Sequence, residues 1–485
     1  MTLSSTISAA VSGLGATSRA AKVVSSNLAN ALNENYGKRE LNLSSASHVF
    51  NGGVRIDGIR RNVDPVLLAD TRTAGSGFGL QSEKTDVLTK IERLVGNVDD
   101  TASLSVRMRQ FESALAFAES NPGSDIRLQN VVVAAKELAT QFSVAQSGIK
   151  EMREQADRAI AQGVSTVNSS LEEIKNLNQR IVAASINGHD ISGYLDQRQE
   201  LINTVSEFVP VKELPRQHGA VALMSPRGVV LVDQTALQIE FESSATIMPH
   251  MTVGSGDLGV LTVGDLTYDL ASSSGGMSGG KFEGLFMKRD KLSEEAQASL
   301  DSLAYEVVSR FQSSVVDPSL APGDTGLFTD AGSVGDPSNI TGLAGRLELN
   351  ENVDPGQGGA VWRIRDGVQS TVEGPTGNSD VLGGMLNALT TSQATSAPGL
   401  PGTGSLLDLA SDVASSAASK ALLSEQKLAT SGAQYEKMQE LLFAQGVDTD
   451  EEMQRLLMIE TNYAANARVI QAVESMLDDL LRIGA

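Results

Sequence analysis

The chain of 485 residues contains no cysteine and few aromatic residues. The absence of cysteine excludes disulfides, cysteine nucleophiles, and zinc or iron–sulfur sites that use cysteine ligands. Aromatic residues make up 4 % of the chain and include a single tryptophan, whereas 41 % of all residues are hydrophobic. The composition therefore predicts cores built mostly from aliphatic side chains.

Basic residues are outnumbered, with 38 lysines and arginines against 59 aspartates and glutamates, which gives a net charge of −21. An acidic surface repels phosphates and anionic lipids, so we predict no nucleic-acid partner and no membrane insertion. The chain also lacks any run of 18 consecutive apolar residues, the length that a membrane-spanning helix needs. Its start lacks a basic segment followed by an apolar one, so we expect any export to proceed without a cleavable signal peptide.

No motif for catalysis or for metal binding stands out. Residues 275–281 resemble the start of a phosphate-binding loop, but Phe282 occupies the position where a serine or threonine would hold magnesium. The adjacent pair His189 and Asp190 cannot fill a metal coordination shell alone. The acidic run 448–452 is typical of a capped helix start, with Asp448 or Thr449 as the N-cap. We therefore predict that the chain is not an enzyme and carries no cofactor or metal.

The order of predicted elements indicates a mainly α protein with a β insertion. Apolar residues at helical spacing predict long helices, and alternating apolar residues predict short strands between Val209 and Leu270. The glycines of 75–79 predict an interruption of a helix. The expected elements are a helix over 4–32, a β-hairpin over 38–62, helices over 64–207 with one running from Asp125 to about Asn187, strands over 209–270, and helices over 292–314, 405–444 and 450–482.

This order predicts a nested, multidomain chain, in which each inner part interrupts an outer one. Residues 1–40 and 445–485 are expected to form a terminal coiled-coil domain. Residues 41–207 and 278–444 are expected to form a helix-rich core, a bundle of long helices. Residues 208–277 are expected to form a small β domain.

The two terminal helices carry apolar stripes that suit a coiled-coil seam. Residues 1–40 have a net charge of +2 and residues 445–485 one of −5, so the two ends attract each other. Burial of the stripes is the larger contribution to the pairing, at ~0.8 kcal/mol per buried methylene group. The predicted assembly interface consists of Ile7, Val11, Leu14, Val24, Leu28, Leu456, Tyr463, Ile470, Val473, Leu477 and Leu481.

The termini resemble those of the flagellar axial proteins, the rod, hook and hook-associated proteins. The resemblance rests on Ser12-Gly-Leu and Ser26-Asn-Leu-Ala-Asn30 at one end, and on Asn462-Tyr-Ala-Ala-Asn-Ala-Arg-Val-Ile470 at the other. The long helices and the segment 279–311 resemble, more narrowly, the hook-associated protein 1 family. One departure is the order Tyr36-Gly37-Lys38-Arg39, where the axial proteins usually have Gly-Tyr-x-Arg.

The resemblance implies a structural adaptor that joins the hook of the bacterial flagellum to its filament. It implies a position outside the cell, export through the flagellar type III channel, and assembly in a ring with further copies. It also implies contacts with the hook protein and hook-associated protein 3, and an export chaperone that binds the C-terminal helix. Alternatives are a hook or filament subunit, or an exported adhesin or hydrolase with a flagellar export tail. The candidate chaperone-binding residues are Leu456, Leu457, Ile470 and Leu477.

Overall fold

The fold is that of a computed structural model, which describes residues 3–33, 35–46, 52–96, 103–272 and 275–483. Helices account for 61 % of the chain, and the few sheets are small, so the prediction of a mainly α protein is confirmed. The helices are α1 (Leu3–Ala29), α2 (Pro65–Val95), α3 (Leu104–Glu119), α4 (Asp125–Ile186), α5 (Ser192–Phe208), α6 (Lys281–Met287), α7 (Ser293–Phe311), α8 (Arg363–Asp366), α9 (Asp380–Thr390), α10 (Leu406–Ala444) and α11 (Thr449–Ile483). None of these helices, within the described residues, is both long and apolar enough to cross a membrane.

The strands pair as four antiparallel two-stranded sheets and one of three strands. The hairpin β1–β2 confirms the prediction for residues 38–62, with Lys38 opposite Asn62 and Ser45 opposite Val54. The strands are β1 (Lys38–Ser45), β2 (Val54–Asn62), β3 (Lys212–Pro215), β4 (Val221–Met224), β5 (Val230–Val232), β6 (Leu261–Val263), β7 (Leu266–Tyr268), β8 (Phe328–Asp330), β9 (Leu347–Leu349), β10 (Gln393–Ala394) and β11 (Thr403–Gly404).

The chain divides into two compact units. The first unit comprises Met1–Phe78, Ser165–Gln238 and Ser431–Ala485, and the second unit comprises Gly79–Val164 and Ile239–Thr430. The segment predicted as a β domain contributes the sheet β3–β4–β5 to the first unit and the pair β6–β7 to the second. The predicted division into three nested domains stays a prediction.

The first unit contains α1, the hairpin, α5 and α11. It also contains the segments of α2, α4 and α10 that fall within its residue ranges. Arg198 on α5 is buried in it and donates to Asn178 Oδ1 at 2.9 Å and to the carbonyl of Gly219 at 2.8 Å. Burial lowers the pKa of Arg198 to about 10. Asn178 in turn bonds both backbone groups of Val221, so these contacts fix the first unit's sheet to α4 and α5.

The second unit has a large, contiguous core. Phe111 from α3, Phe311 from α7 and Phe328 from β8 meet with ring centroids 5.3–5.8 Å apart, two of the three pairs edge to face. Such geometry is favourable beyond the area it buries. Aliphatic side chains of α2, α3, α4, α7, α9 and α10 surround the three rings. The core thus follows the aliphatic composition, with a small aromatic centre.

The predicted interruption at residues 75–79 is wrong, because α2 continues through these glycines. Glycine in a helix interior costs ~1 kcal/mol relative to alanine. Here packing offsets the cost: a Cβ on Gly75 would lie 3.0 Å from the ring of Tyr435, and that ring stacks on Phe78 at 5.8 Å. The glycine is needed for the close approach of α10, a tertiary contact that local spacing does not reveal.

Candidate assembly interface of the terminal helices

Helices α1 and α11 pack against each other in an antiparallel arrangement. Lys38, shortly after the end of α1, reaches the first turn of α11, where its Nζ lies 2.7 Å from Glu451 Oε2. Further along the pair, Gly13 lies beside Asn466, and a Cβ on Gly13 would come within 2.8 Å of Asn466 Nδ2. The pairing of the chain ends that the sequence predicts is therefore present within a single copy.

The start of α11 is fixed by its own cap. Asp448 Oδ1 accepts hydrogen bonds from the backbone N–H groups of Asp450 at 2.9 Å and Glu451 at 3.1 Å. A carboxylate in this position satisfies N–H groups that lack partners inside the helix and interacts favourably with the helix dipole. The structure thus confirms the predicted cap at Asp448.

A buried carboxylate follows in the same turn. Glu452 is fully buried, and its Oε1 lies 3.9 Å from Lys38 Nζ and 3.9 Å from Arg455 NH1. Neither of its side-chain oxygens accepts a hydrogen bond from any residue in the described part of the chain. Charge neutralisation by Lys38, itself largely buried, is therefore what holds this group in the interior.

Asn27 fixes the chain where it leaves α1. Its buried side chain donates to the carbonyl of Arg39 at 2.9 Å and accepts from the N–H of Arg39 at 3.0 Å. The Tyr36 hydroxyl donates to the same Asn27 oxygen at 2.9 Å, and partial burial raises the pKa of Tyr36. The Asn27 side chain therefore satisfies both backbone groups of Arg39, the second residue of β1.

Asp196 on α5 anchors the same turn. It accepts from the backbone N–H of Gly37 at 3.1 Å, from Arg39 at 2.8 Å and from Arg61 Nε at 2.7 Å. A Cβ on Gly37 would collide with the Arg61 side chain, so the position requires glycine. The order Tyr36-Gly37-Lys38-Arg39 is thus accommodated by a charged cluster around one carboxylate.

The predicted interface residues fall into three groups by burial. Within one copy, the α11 residues that the sequence placed on the seam are only partly covered by α1. Val24 and Val473 are buried; Ile7, Leu14, Leu28, Leu456 and Ile470 are half-buried; Val11, Tyr463, Leu477 and Leu481 are exposed. Of the candidate chaperone-binding residues, Leu456 and Ile470 are half-buried, and Leu457 and Leu477 are exposed. Both sets of roles stay predictions.

The sequence placed Lys38 and Glu452 in the motif 36–39 and in the first turn of the last helix, but it did not indicate that they pair with each other. Asn27 lies in the motif 26–30, which did not indicate its contact with Arg39. Asp196 lies 157 residues from Arg39, and nothing in the local pattern around it indicates a partner. Among the described residues, no group of three or more histidine or acidic side chains is placed to hold a metal ion.

Replacing Asn27 by alanine should destabilise the first unit by about 2–3 kcal/mol, because it leaves the buried N–H and carbonyl of Arg39 without partners. Hydrogen exchange should accelerate at the start of β1, and the urea midpoint should fall. Asn30→Ala is a matched control: among the described residues, the Asn30 side chain makes one hydrogen bond, to the carbonyl of Ser26, and Asn30 is less buried than Asn27. Equal effects of the two substitutions would contradict the role of Asn27.

Comparison with known proteins points to one class. The model of the flagellar hook-associated protein FlgK helical domain matches residues 88–314. The model of the flagellar basal body rod FlgEFG protein C-terminal region matches residues 438–483, which contain the whole of α11. Both matches are to flagellar proteins, the class whose terminal motifs this chain resembles.

Curated relatives narrow the class further. The flagellar hook-associated protein 1 of Salmonella typhimurium is 27 % identical over 263 residues, which cover 52 % of this chain and 47 % of the relative. Those of Escherichia coli and Bacillus subtilis are 24 % identical over 260 residues and 21 % over 505, the latter covering 96 % of both chains. The chain is thus similar to flagellar hook-associated protein 1, and it spans about half the length of the Salmonella and Escherichia relatives that it matches.

A solved structure of a similar protein has also been found. It is the flagellar hook junction protein FlgK from Burkholderia pseudomallei, at 20 % sequence identity and a TM-score of 0.44. The match covers 54 % of this chain and 46 % of the other.

Proposed function

We propose that this chain is a structural subunit of the junction between the flagellar hook and the filament, and that its terminal helices hold it in the assembly. The observation that carries the proposal is the row of apolar side chains that α11 leaves exposed while it is paired with α1. Patches of this kind on soluble proteins mark interaction sites. The exposed residues are Met453, Leu457, Met458, Tyr463, Val469, Met476, Leu477, Leu480 and Leu481.

These exposed apolar residues are what we expect of a helix that contacts neighbouring subunits on several sides in an assembly. Helix α11 has 35 residues, a length of ~52 Å at 1.5 Å per residue. Helix α1 has 27 residues and covers one side of it. Burial of a leucine side chain is worth about 1.5–3 kcal/mol, so neighbouring subunits that cover the remaining sides would stabilise the helix strongly.

The partners we propose are further copies in a ring, the hook protein on one side and hook-associated protein 3 on the other. The location is the flagellum outside the cell, and the mechanism is packing without catalytic turnover. During export, a chaperone would bind the same helix through the exposed Leu457 and Leu477 and the half-buried Leu456 and Ile470. A single surface would then serve the chaperone first and the assembly afterwards, since both need an apolar helix face.

The Leu477→Asp variant tests the proposal. A charge at this position should abolish assembly at the junction and leave the rest of the chain folded, because Leu477 lies on α11 near the end of its pairing with α1. Electron microscopy of cells that produce only the variant should show hooks without filaments. Leu266→Asp is the matched control, since Leu266 is also exposed but lies on β7 in the second unit.

Filaments of normal number in the Leu477→Asp cells would contradict the proposal. If the purified chain instead polymerises by itself into long fibres, it is a hook or filament subunit. An adhesin or hydrolase would need an activity, which a junction subunit does not have.

A further inference from the structure

The last part of α11 projects beyond α1. Because Gly13 lies beside Asn466 and the helices run antiparallel with equal rise, Leu3 is level with about residue 476. The residues that follow on α11 therefore extend past the first described residue of α1. Leu477 and Leu481 on this part are exposed, Leu481 to 72 %.

The C-terminal end of α11, from Glu474 onward, also carries acidic side chains without ion-pair partners among the described residues. Glu474 and Asp478 are exposed, lie four residues apart on one face of the helix, and form no ion pair with any residue that the structure describes. On α1, Arg19 and Lys22 are likewise exposed and three residues apart, and they too form no ion pair within the described ranges. Helix α1 contains no acidic residue.

The two charged pairs cannot meet within one chain. Arg19 is level with about residue 460 of α11, so Asp478 lies 18 residues further along, or ~27 Å along the helix axis. An ion pair requires approach to within about 4 Å. A second copy that is displaced along the axis by this length would place Asp478 beside Arg19 and Glu474 beside Lys22.

The face of α1 that carries Arg19 and Lys22 is exposed, and it borders the hairpin, where Val54 N donates to Ser12 Oγ at 3.1 Å. The buried residues of α1 are Ala10, Ala16, Val23, Val24 and Asn27. Apart from Val11, its other exposed side chains are small, so a second helix can approach closely. The small exposed residues are Ser4, Ser8, Gly15, Ser18, Ser25 and Ala29.

We propose that α11 of one copy packs along this exposed face of α1 in a second copy, about 27 Å further along the axis. Glu474 and Asp478 pair with Lys22 and Arg19, and Leu481 covers the small residues near Gly15. The contact joins two different surfaces, so each copy keeps one of each free and further copies can add in a ring or tube. The inference rests on the proposed function, because it names the partner surface of the same assembly.

Disulfide trapping in assembled flagella tests this register, since the chain has no cysteine of its own. Ser25→Cys and Gln471→Cys in one chain place two uncharged, exposed positions nearly level across the proposed contact. Within a copy they are ~26 Å apart along the axis, because Ser25 is level with about residue 454. Oxidation of flagella from cells that produce this variant should convert most of the chain into a ladder of linked multimers, which reductant removes.

Two controls accompany the trapping. Each single-cysteine variant must assemble and should give no ladder beyond dimers. Ser25→Cys combined with Ala464→Cys uses an exposed residue ~10 Å away along α11, and should not give a ladder if the register is correct. A ladder from this control, or none from the Gln471 variant, overturns the inference.

Charge reversal provides an independent readout. Glu474→Lys with Asp478→Lys should reduce the fraction of cells with filaments at least several-fold, as should Arg19→Glu with Lys22→Glu, and the four changes combined should restore it. Lack of restoration overturns the inference. Gold-labelled antibody separates the two proposals: a chain absent from the hook–filament boundary contradicts the proposed function, whereas a chain present there but not linked contradicts the register alone.

Discussion

Replacing Arg289 by methionine should lower the free energy of unfolding of the second unit by about 3–5 kcal/mol, the usual cost of removing one partner from a buried ion pair. Arg289 is fully buried in the five-residue π-helical turn Lys288–Leu292, between α6 and α7. A π-helical turn is rare and often occurs where the position of a particular side chain matters. Here the turn places one guanidinium in the interior, where every contact it makes is lost on substitution.

Hydrogen-bond acceptors and aromatic rings surround the positively charged guanidinium of Arg289. The guanidinium donates to Asp157, to both oxygens of Asp290, and to the carbonyl of Gly259 at 2.7 Å. It also lies over the rings of Phe286 and Phe241, at 4.9 and 5.5 Å. Burial alone would lower its pKa, but the hydrogen bonds that Arg289 donates to Asp290 and Asp157 raise the pKa of Arg289 above its ordinary value.

The same cluster holds an irregular stretch of chain against α4. Asp157 accepts from the N–H of Ser244 at 2.8 Å. Arg153, one turn earlier, donates to the carbonyls of Arg289, Met248 and Met251. Without Arg289, Asp157 would remain buried without the ion-pair partner that the structure shows, so the attachment of the stretch 244–251 through Asp157 would weaken.

Urea unfolding followed by tryptophan fluorescence measures this effect directly, because the single tryptophan, Trp362, lies in the second unit. Lys420→Met is the control: Lys420 also lies in the second unit, is largely exposed, pairs with Glu295 at 3.2 Å, and we expect less than about 0.5 kcal/mol. A loss for Arg289→Met no larger than the control's would show that the cluster does not stabilise the unit.

The second large effect is expected for Lys38→Met, which removes the positive charge nearest to the buried Glu452. We expect the first unit to lose about 3–5 kcal/mol, because the carboxylate is left in the interior with only Arg455 at 3.9 Å. The first turn of α11 should open, and its backbone amides should exchange with solvent much faster. Hydrogen exchange resolved to residues 448–456 is the appropriate measurement.

A double-mutant cycle separates the pair from the packing of the lysine stem. Lys38→Met combined with Glu452→Met should recover most of the stability, since both charges are then absent and the volumes are retained. Glu451→Ala is the control, because Glu451 is mostly exposed and its pair with Lys38 should contribute at most about 1 kcal/mol. A double variant as unstable as Lys38→Met would show that the buried charge is not the cause.

The local sequence pattern was sufficient to predict the long helices and the first hairpin. The helix predicted from Asp125 to about Asn187 is α4, and the hairpin predicted over 38–62 is β1–β2. Helical and strand periodicity are properties of neighbouring residues, and turn residues such as Asn121 to Ser124 end an element wherever they lie. The prediction at residues 75–79 was wrong because it weighed glycine propensity without the ring of Tyr435 that makes the glycine favourable.

The sequence alone determined the class of fold, the long helices, the apolar stripes of both ends and their opposite charge, because each depends on residue types at short spacing. Only the tertiary structure decided that Asn27 and Asp196 fix the chain after α1, that Glu452 is buried beside Lys38, and that Arg289 occupies a π-helical turn. These contacts join residues up to 414 positions apart, as Lys38 and Glu452 show. Their geometry depends on the register and burial of whole helices, which no local pattern specifies.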